Sequence, residues 1–340
     1  MLSREENELL TRTGPGTSMG QLVRRYWVPT LYSQQLPKPD CPPVRVRLLG
    51  EDLIAVRDTS GRVGLLGQHC PHRGASLFFG RNEECGLRCV YHGWKFDVHG
   101  TCVDMPNEPP ESNFKHKIQQ LAYPCRERGG VIWSYLGPPE LEPGLPELEW
   151  ALVPDSQRFA TRHIQTCNWL QALEDGFDTS HVQILHQGFV QTVRAVSKAP
   201  KLEVIPSAGG FMLATSRELQ AGGTNWSINQ WLFPWYKVIT RHGPDEPIGA
   251  HAWVPIDDES CMVWTVEYHP DRPLNEEEMG PSKSWTSIHL ENIPGSDRTV
   301  LNKKNDYLID RQVQRTQTYT GIKGIGAQDT AMQESMGPIY

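Results

Sequence analysis

Two short segments between Cys70 and His92 constrain this chain more than any other feature of its sequence. The first is Cys70-Pro71-His72, and the second, Cys89-Val90-Tyr91-His92, follows after sixteen intervening residues. Each segment supplies one thiol and one imidazole, and both groups are common ligands of transition metals. We therefore expect two loops that hold one metal centre between them, with the surrounding fold arranged to bring the loops together.

Two kinds of metal centre use this set of ligands. Structural zinc sites bind two Cys and two His tetrahedrally, but their sequences usually pair Cys with Cys and His with His. Here the ligands run Cys, His, Cys, His along the chain, which favours a [2Fe–2S] centre with both Cys on one iron and both His on the other. This pattern is the Rieske motif. We expect Gly74 and Gly93, which follow the two His, to let the backbone approach the cluster and donate amide hydrogen bonds to it.

Length and charge narrow the classes of protein further. A chain of 340 residues predicts about two domains. Its 33 Lys and Arg against 40 Asp and Glu give a net charge of −7, which argues against nucleic acid as a partner. The N-terminal residues are too polar for a signal peptide, and no apolar run reaches the roughly 18 residues of a membrane span. We therefore expect a cytoplasmic protein whose other cysteines are free thiols, since disulfide frameworks belong mainly to short secreted chains.

The chain is expected to form two domains joined by a linker. Strand signals at Val44–Leu49, Leu53–Arg57 and Val63–Leu66, separated by tight turns, indicate a small all-β domain around the cluster motif. Residues 139–155 are rich in Pro, Glu and Leu, and such a stretch cannot propagate a helix or a central strand. We assign residues 1–40 to a helical or irregular lead-in, 41–138 to the cluster domain, 139–155 to the linker and 156–340 to a second domain.

A predicted helix in the second domain leads to two further histidines. Asn168 suits the N-cap position, and apolar residues recur at helical spacing from Trp169 to Phe177. In a regular helix His181 and His186 would stand about 140° apart, so both could reach one metal ion only if the helix ends or bulges between them. Taken alone, two surface histidines on an amphipathic helix are an equally good interpretation.

Together these motifs resemble the catalytic subunit of the Rieske non-haem iron oxygenases, and in particular its phthalate dioxygenase branch. The resemblance implies an α+β fold with an N-terminal all-β Rieske [2Fe–2S] domain and a C-terminal catalytic domain built on an antiparallel sheet of the helix-grip type. Members of that branch usually continue well past this length, so Tyr340 is expected to be a trimmed or disordered end rather than the biological C-terminus. The resemblance rests on the cluster motif, on Asn168-Trp169 to His186, and on the segments His251-Ala252-Trp253-Val254-Pro255, Asn305-Asp306-Tyr307-Leu308-Ile309-Asp310-Arg311 and Gln333-Glu334-Ser335-Met336-Gly337-Pro338-Ile339.

The resemblance implies a second metal, a mononuclear Fe(II) held by two His and one carboxylate with other positions open for O2. His181 and His186 are the imidazole ligands in this scheme. Asp329 is the expected carboxylate, because family members place an Asp just before a C-terminal helix with an acidic residue five positions on. The alternative is that Asp329 only N-caps that helix, and Asp306 and Asp310 are then the fallback ligands.

Asp178 has a different role by the same resemblance. It does not bind iron but bridges His181 to the cluster ligand His92 of a neighbouring subunit. A carboxylate that accepts a hydrogen bond from both imidazoles would orient them and couple the two redox sites. The alternative is an exposed helix Asp that makes a weak surface pair. The bridging role implies a ring-shaped homo-oligomer, either a trimer or a dimer of trimers.

Three arginines that follow the iron helix are candidates for substrate binding: Arg194, Arg217 and Arg241. Arginine grips a carboxylate bidentately, and the phthalate branch binds ring carboxylates with arginines of this region. Each arginine could equally be a surface salt-bridge partner. The branch commonly has Trp-Arg where this chain has Trp226-Ser227, which leaves the exact substrate open. The aromatic residues from Trp226 to Tyr236 fit either an apolar pocket or packing within a sheet.

The leading hypothesis is the oxygenase component of a dioxygenase that adds O2 to an aromatic carboxylate, of the phthalate, isophthalate or chlorobenzoate type, to give a cis-dihydrodiol. The sequence carries no flavin or nicotinamide fingerprint, so a separate flavin and iron–sulfur reductase that uses NAD(P)H must supply the electrons. The nearest alternative is a Rieske monooxygenase that demethylates a methoxybenzoate such as vanillate. A pure electron carrier and a zinc-stabilised binding protein are alternatives from other classes.

Overall fold

The computed structural model describes residues 2–109, 111–190, 195–196, 199–239, 243 and 245–339. The chain forms two compact units. We call Arg12–Leu152 the N-terminal unit, and Val153–Tyr340 together with Met1–Thr11 the C-terminal unit. The break after Leu152 falls within residues 139–155, the predicted linker. In the described part of the chain, no helix combines the length and the apolar character needed to cross a membrane.

Helices account for a minor part of the described residues. The α-helices, in chain order, are α1 (Arg4–Thr11), α2 (Ser18–Val23), α3 (Glu149–Leu152), α4 (Trp169–Phe177), α5 (Val182–Leu185), α6 (Glu276–Lys283), α7 (Arg311–Thr316) and α8 (Ile325–Ser335). Short 3-10 helices lie at Ser33–Gln35, Leu77–Phe79, Phe114–Lys117, Pro139–Leu141, Asp155–Gln157 and Lys303–Leu308.

Strands build the framework of both units. Those of the N-terminal unit are β1 (Trp27–Tyr32), β2 (Val44–Leu48), β3 (Glu51–Arg57), β4 (Val63–Gly67), β5 (Arg81–Glu83), β6 (Gly86–Arg88), β7 (Lys95–Phe96), β8 (Cys102–Asp104), β9 (Ala122–Tyr123), β10 (Cys125–Arg128) and β11 (Val131–Tyr135). Those of the C-terminal unit are β12 (Arg158–Gln165), β13 (Lys201–Ser207), β14 (Gly210–Glu218), β15 (Thr224–Leu232), β16 (Tyr236–Ile239), β17 (Ile248–Pro255) and β18 (Cys261–Tyr268).

Three small antiparallel sheets form the N-terminal unit, in the strand orders β1-β11-β10, β2-β3-β4-β9 and β5-β6-β7-β8. The strands predicted from alternating sequence are confirmed as β2, β3 and β4. In β2, exposed arginines alternate with the buried side chains of Val46 and Leu48, which is the period of a strand with one face on a core. Cys70 and Cys89 lie in a hydrophobic core of this unit, among aliphatic and aromatic side chains that include those of Ile54 and Val56 from β3.

The predicted helical or irregular lead-in is wrong for Trp27–Tyr32, which forms strand β1. It pairs antiparallel with β11, with Trp27 opposite Tyr135 and an irregularity in register after Pro29. The proline obscured the strand signal because it cannot donate to a ladder and is tolerated only on edge strands or at bulges. β1 meets both conditions, since it is the edge of its sheet.

One seven-stranded antiparallel sheet dominates the C-terminal unit, in the order β12-β18-β17-β16-β15-β14-β13. The predicted extended segment after Arg158 is confirmed as β12. Direct cross-strand pairs place Lys237, His251 and Thr265 side by side across three adjacent strands, β16, β17 and β18. Because side chains alternate between faces with a period of two, these polar residues share one face of the sheet. Because its side chains are polar, this face differs from the apolar face of a core, and it forms one wall of a cavity.

Helices α4 and α8 lie against each other, and α4 also packs on β17. α4 begins as predicted, because the Asn168 side chain accepts a hydrogen bond from the backbone N–H of Leu170 at 2.9 Å. Its close approach to the sheet needs Gly176, where a Cβ atom would lie 2.4 Å from the ring of Trp253. The helix is therefore held over the polar face of the sheet, with its C-terminal end beside the cavity.

Candidate metal centres

The two cluster loops share one backbone conformation. In the first loop the amide of Cys70 donates to the carbonyl of Ala75 and the amide of Gly74 donates to the carbonyl of Cys70, both at 2.9 Å. In the second loop Cys89 donates to Trp94 at 2.8 Å and Gly93 donates to Cys89 at 2.9 Å. Gly74 and Gly93 have φ angles of +71° and +79°, a region that glycine adopts without strain.

These bonds correct one expectation about the glycines. The amides of Gly74 and Gly93 close their own loops on the carbonyls of Cys70 and Cys89, so they are already engaged and are not free donors to a cluster. The glycines shape the loops through their positive φ angles instead. The sequence showed that glycine was needed but not which hydrogen bond its amide makes.

The structure brings the four cluster residues together. Both sulfurs belong to buried residues, and the rings of His72 and His92 lie 4.4 Å apart between centroids. Trp94 stacks on His72 with a centroid distance of 4.5 Å and an angle of 10°, and its indole N–H donates to Asn107 Oδ1 at 3.1 Å. The stacked indole limits the rotation of one imidazole.

The chemistry of these four residues fits a cluster. The Nδ1 atom of His72 is buried and has no hydrogen-bond partner, which costs free energy unless a ligand engages it. Burial raises the pKa of the Cys70 thiol to about 11, so a thiolate there needs the positive charge that iron supplies. Two sulfurs and two imidazoles with these properties suit a [2Fe–2S] cluster.

The second pair of histidines lies at the two ends of a short helix that follows a break in the chain. α4 ends at Phe177, and the next turn, α5, begins only at Val182. His181 and His186 flank α5, and their ring centroids lie 5.2 Å apart. The break lies earlier in the chain than predicted, because α4 ends before His181 and the four residues between the two histidines form α5.

The carboxylate of Asp329 lies beside the imidazoles of these two histidines. One ligand atom from each of His181, His186 and Asp329 lies within 4.8 Å of the others. Asp329 Oδ1 is 3.1 Å from Nε2 of His186 and 3.6 Å from Nε2 of His181. Asp329 sits inside α8, whose N-cap is Gly324, so the alternative of a capping Asp is wrong. The expected position just before the helix is also wrong, because the helix begins four residues earlier.

The fallback carboxylates lie elsewhere. Asp310 N-caps α7, where its Oδ1 accepts from the amides of Gln312 and Val313 at 2.7 and 2.9 Å. Asp306 is exposed. Among the residues that the structure describes, the cluster of possible metal ligands contains neither of them.

The outer nitrogens of the two imidazoles face a second set of polar groups. Nδ1 of His186 lies 2.8 Å from Gln328 Oε1. Nδ1 of His181 lies 3.5 Å from Asp178 Oδ2 and 3.6 Å from Asp175 Oδ1. Sequence reasoning found Asp178 but missed Gln328 and Asp175. The spacing of three residues from Asp175 to Asp178 and on to His181 was a signal, since such residues share one side of a helix.

Burial and neighbouring charge act on these groups in opposite directions. Burial raises the pKa of Asp175, and the charge of Asp329 raises it further. Burial opposes a charge on His186, but Asp329 outweighs it and raises the pKa of the imidazole. For Asp178, hydrogen bonds from Ser180 outweigh burial and lower the pKa.

The donor set at this centre fits a ferrous ion. Asp329 Oδ1 is buried without a hydrogen-bond partner, although it lies beside two imidazole nitrogens. Two His and one carboxylate on one side of a metal, with open positions opposite, are the ligands of non-haem Fe(II) in oxygenases. A bound cation would satisfy the oxygen and both nitrogens at once.

The three residues border a cavity of about 700 Å³. The polar face of the sheet forms the opposite side through residues that include Lys237, His251 and Thr265. Of the predicted aromatic run, Trp226 lines the cavity, whereas Trp231 packs on the ring of Phe233 with centroids 5.5 Å apart. Core packing thus explains part of that run.

Of the three candidate arginines, only Arg217 lies within the described residues; Arg194 and Arg241 fall outside them. Arg217 is buried and lines the cavity. Its Nη2 donates to the carbonyl of Thr179 at 2.7 Å, while its Nε is buried with no hydrogen-bond partner. The alternative of a surface salt bridge does not describe Arg217.

Comparison with known proteins identifies the class. A family model described as the Rieske [2Fe-2S] domain matches residues 26–122, and one described as LigXa C-terminal domain like matches residues 134–340. The 3-chlorobenzoate-3,4-dioxygenase oxygenase subunit of Comamonas testosteroni is 40% identical over 359 residues, which cover 100% of this chain and 83% of that protein. The phthalate 4,5-dioxygenase oxygenase subunit of Pseudomonas putida is 36% identical over 361 residues, with 100% and 80% covered.

Two further matches complete the comparison. A 5,5'-dehydrodivanillate O-demethylase oxygenase subunit from a Sphingobium species is 42% identical over 273 residues, covering 77% of this chain and 62% of that protein. The crystal structure of dicamba monooxygenase superposes with a TM-score of 0.64 at 20% identity, covering 93% of this chain and 87% of that one. At this identity the superposition establishes the fold alone.

The chain belongs to the Rieske non-haem iron oxygenases. The predicted family, the α+β fold class and the assignment to the oxidoreductases are confirmed. A Rieske domain holds a [2Fe–2S] cluster, and the oxygenase subunits of this family use a mononuclear iron, so both predicted cofactors are confirmed as well. The zinc-stabilised binding protein and the pure electron carrier are therefore wrong.

Proposed function

We propose that this chain is the oxygenase component of a dioxygenase that cis-dihydroxylates an aromatic carboxylate of the phthalate, isophthalate or chlorobenzoate type. Both atoms of O2 enter the ring, and two electrons and two protons complete the balance. The names of two relatives support the substrate class, since one is a 3-chlorobenzoate dioxygenase and the other a phthalate dioxygenase.

The observation that carries the proposal is the convergence of His181, His186 and Asp329 at the wall of the cavity. Three ligands on one side of a metal leave other positions open toward that space. A volume of about 700 Å³ is in the range of small-molecule sites and accommodates a single aromatic ring. O2 and the ring can therefore meet beside the three ligands.

In this proposal the cluster ligands are Cys70, His72, Cys89 and His92, and the iron ligands are His181, His186 and Asp329. When bound, the cluster supplies single electrons and the mononuclear iron supplies the reductive activation of O2. Other residues hold the ligands in place: Trp94 stacks on His72, and Gln328 engages Nδ1 of His186.

Asp178 is proposed to bridge His181 to His92 of a neighbouring subunit in a homotrimer or hexamer. One of its oxygens accepts from the amide of Ser180 at 2.7 Å, and the other lies 3.5 Å from His181 Nδ1. The side chain is 47% exposed, which leaves this anchored carboxylate accessible to an imidazole from another chain.

An electron donor and a substrate contact complete the proposal. A separate flavin and iron–sulfur reductase delivers electrons from NAD(P)H, in keeping with relatives that are named oxygenase subunits. Arg217 is retained as a candidate contact for the substrate, because its unpartnered Nε belongs to a residue that lines the cavity.

The proposal is tested by product analysis with 18O2. Protein purified without oxygen and loaded with ferrous iron is supplied with NADH, a surrogate flavin and iron–sulfur reductase, and 3-chlorobenzoate, phthalate or isophthalate. The expected product is a cis-dihydrodiol that carries two 18O atoms. His181→Ala should abolish product while the absorption spectrum of the cluster is retained.

A second candidate is demethylation of a methoxybenzoate, which the O-demethylase relative favours. The same reaction mixture with vanillate separates the two activities, since demethylation releases formaldehyde and leaves a phenol. Formaldehyde from vanillate, together with no cis-diol from any of the three carboxylates, would contradict the dioxygenase and support the demethylase.

A further inference from the structure

Lys237 is a cation in the wall of the cavity with no carboxylate partner among the described residues. Its Nζ lies 5.8 Å from the centre of the Phe177 ring. Burial lowers the pKa of the amine to about 8, although the charges of Asp329 and Asp175 act to raise it. A charge removed from water in this way is costly unless an opposite charge joins it.

The cross-strand partner of Lys237 is His251, which does not supply a negative charge to the amine. Lys237 and His251 are direct partners across β16 and β17, and two like charges in such positions are destabilising. His251 avoids the conflict by staying neutral, because burial, followed by the charge of Lys237, holds its pKa well below the usual value. It stacks on Trp253, and its Nδ1 lies 3.1 Å from Thr265 Oγ1. In the described residues, the centre of the sheet therefore presents one positive charge to the cavity, that of Lys237.

We propose that Lys237 is the counter-ion of the substrate carboxylate and holds an aromatic acid in the cavity with its ring toward His181, His186 and Asp329. This inference rests on the proposed function and names the group that selects an acid over a neutral ring. Lysine was not among the candidates from sequence, because only the register of β16 with β17 shows that its side chain shares the cavity face.

Arg217 cannot serve the same carboxylate. It pairs with Asn225, whereas Lys237 pairs with Trp231. Those partners are six residues apart on β15, which at roughly 3.4 Å per residue is about 20 Å along the strand. The two residues also lie on different strands, β14 and β16, which flank β15 on its two edges. Arg217 already donates to the carbonyl of Thr179. The two cations therefore lie at different ends of the cavity.

The proposal is tested by equilibrium binding without turnover. The anaerobic ferrous protein is titrated with 3-chlorobenzoate and with 3-chlorobenzamide, a neutral probe of nearly the same shape. The wild-type protein should prefer the acid. Lys237→Met should weaken binding of the acid by about tenfold to a hundredfold, as for the loss of a hydrogen bond to a charged group. Binding of the amide should change by less than about threefold.

The controls separate charge from folding. Lys201→Met makes the same chemical change at an exposed lysine that pairs with Glu218 on the same sheet, and it should leave both affinities unchanged. Lys237→Arg should restore the preference for the acid. If methionine is not tolerated, Lys237→Gln tests the same charge, with circular dichroism and iron content as checks on folding.

Three results would overturn the assignment of Lys237, and one would support it. A wild-type protein with no preference for the acid, or a Lys237→Met variant that keeps the preference, would overturn the assignment. So would loss of the preference in Arg217→Met with Lys237→Met unaffected. A preference that depends on Lys237 supports the assignment even if no cis-diol forms, in which case the proposed reaction fails while the acid-binding site stands.

Discussion

Gln328 determines which nitrogen of His186 faces the metal site. The amide nitrogen of Gln328 donates to the carbonyl of Ile322 at 2.9 Å, and a carbonyl only accepts, so the amide oxygen is the atom that lies 2.8 Å from Nδ1 of His186. Nδ1 must therefore carry the proton. The lone pair of Nε2 is left free, 3.1 Å from Asp329 Oδ1, where a metal would bind.

Removing this amide should weaken metal binding. In Gln328→Ala the imidazole of His186 loses the acceptor that fixes its tautomer and orientation. Loss of such an outer partner typically lowers metal affinity about tenfold to a hundredfold. The affinity for Fe(II) is measured by anaerobic titration, and iron content by elemental analysis. Gln312→Ala, at an exposed glutamine of α7, is the matched control, and equal affinities in the two variants would rule out a positioning role for Gln328.

Asp175 should affect metal binding and stability in opposite directions. Its side chain is 14% exposed and accepts a hydrogen bond from Gln333 Nε2, a bond that asparagine can keep through its own oxygen. Without metal, the carboxylates of Asp175 and Asp329 share a buried space and repel each other. Asp175→Asn should therefore stabilise the metal-free protein by about 1 kcal/mol and weaken Fe(II) binding by about tenfold.

Urea unfolding of the metal-free protein and anaerobic Fe(II) titration measure the two effects of Asp175→Asn separately. Asp271→Asn, at an exposed position, controls for the loss of a negative charge elsewhere. A variant that is less stable and also binds iron normally would show that Asp175 is a structural residue with no electrostatic link to the metal site.

The ligands could be predicted from sequence because their chemistry is local. Each cluster ligand lies within three residues of its loop partner, so ligand type and order were sufficient. A continuous helix would hold His181 and His186 about 140° apart, which predicted an irregularity between them; the structure instead ends α4 at Phe177 and places the short helix α5 between the two histidines. Asp329 was found through resemblance, whereas its place inside α8 required the structure.

The rest depends on contacts between segments far apart in sequence. Lys237 sits in an aromatic stretch that reads as core, and only its pairing with His251 shows that it faces the cavity. Gln328 is next to a predicted ligand, yet its role arises from Ile322 and His186, which no periodic pattern connects to it. Strand β1 was missed because Pro29 removes a ladder donor.

Trp94 should control how long the cluster survives. Its indole ring stacks on His72 and is 4% exposed. Trp94→Leu removes the stacked surface and gives the imidazole freedom to rotate, so we expect at least twofold less cluster per chain and faster loss in the presence of a chelator. Absorbance and the electron paramagnetic resonance signal of the reduced protein measure both quantities.

A pair of variants separates the two contacts that Trp94 makes. Trp94→Phe keeps an aromatic ring over His72 but loses the hydrogen bond to Asn107, and Asn107→Ala removes only that bond. If stacking is what matters, both variants retain the cluster and Trp94→Leu alone loses it. Retention in Trp94→Leu, or equal loss in all three, would contradict the assignment to stacking.

Raising the pH should weaken binding of the aromatic acid through Lys237. In the ligand-free protein burial lowers the pKa of this amine to about 8, and a bound carboxylate would raise it. The charges that face Lys237 are Asp175 on α4 and Asp329 on α8, which both favour the ammonium form, while His251 on β17 stays neutral. Affinity is therefore constant below about pH 7.5 and falls by roughly tenfold per pH unit above the free pKa, because binding must then take up a proton.

The dissociation constant of the metal-free protein for 3-chlorobenzoate, measured from pH 6.5 to 9.5, checks this dependence, since iron bound at Asp329 would offset one of the charges that face Lys237. 3-Chlorobenzamide should show a flat profile, since it has no charge for the amine to meet. Lys237→Arg should bind the acid equally well across the range, because a guanidinium stays protonated. The same decline in wild-type and Lys237→Arg proteins would assign the titration to another group, and a flat wild-type profile would show that the ammonium form of Lys237 is not what holds the carboxylate.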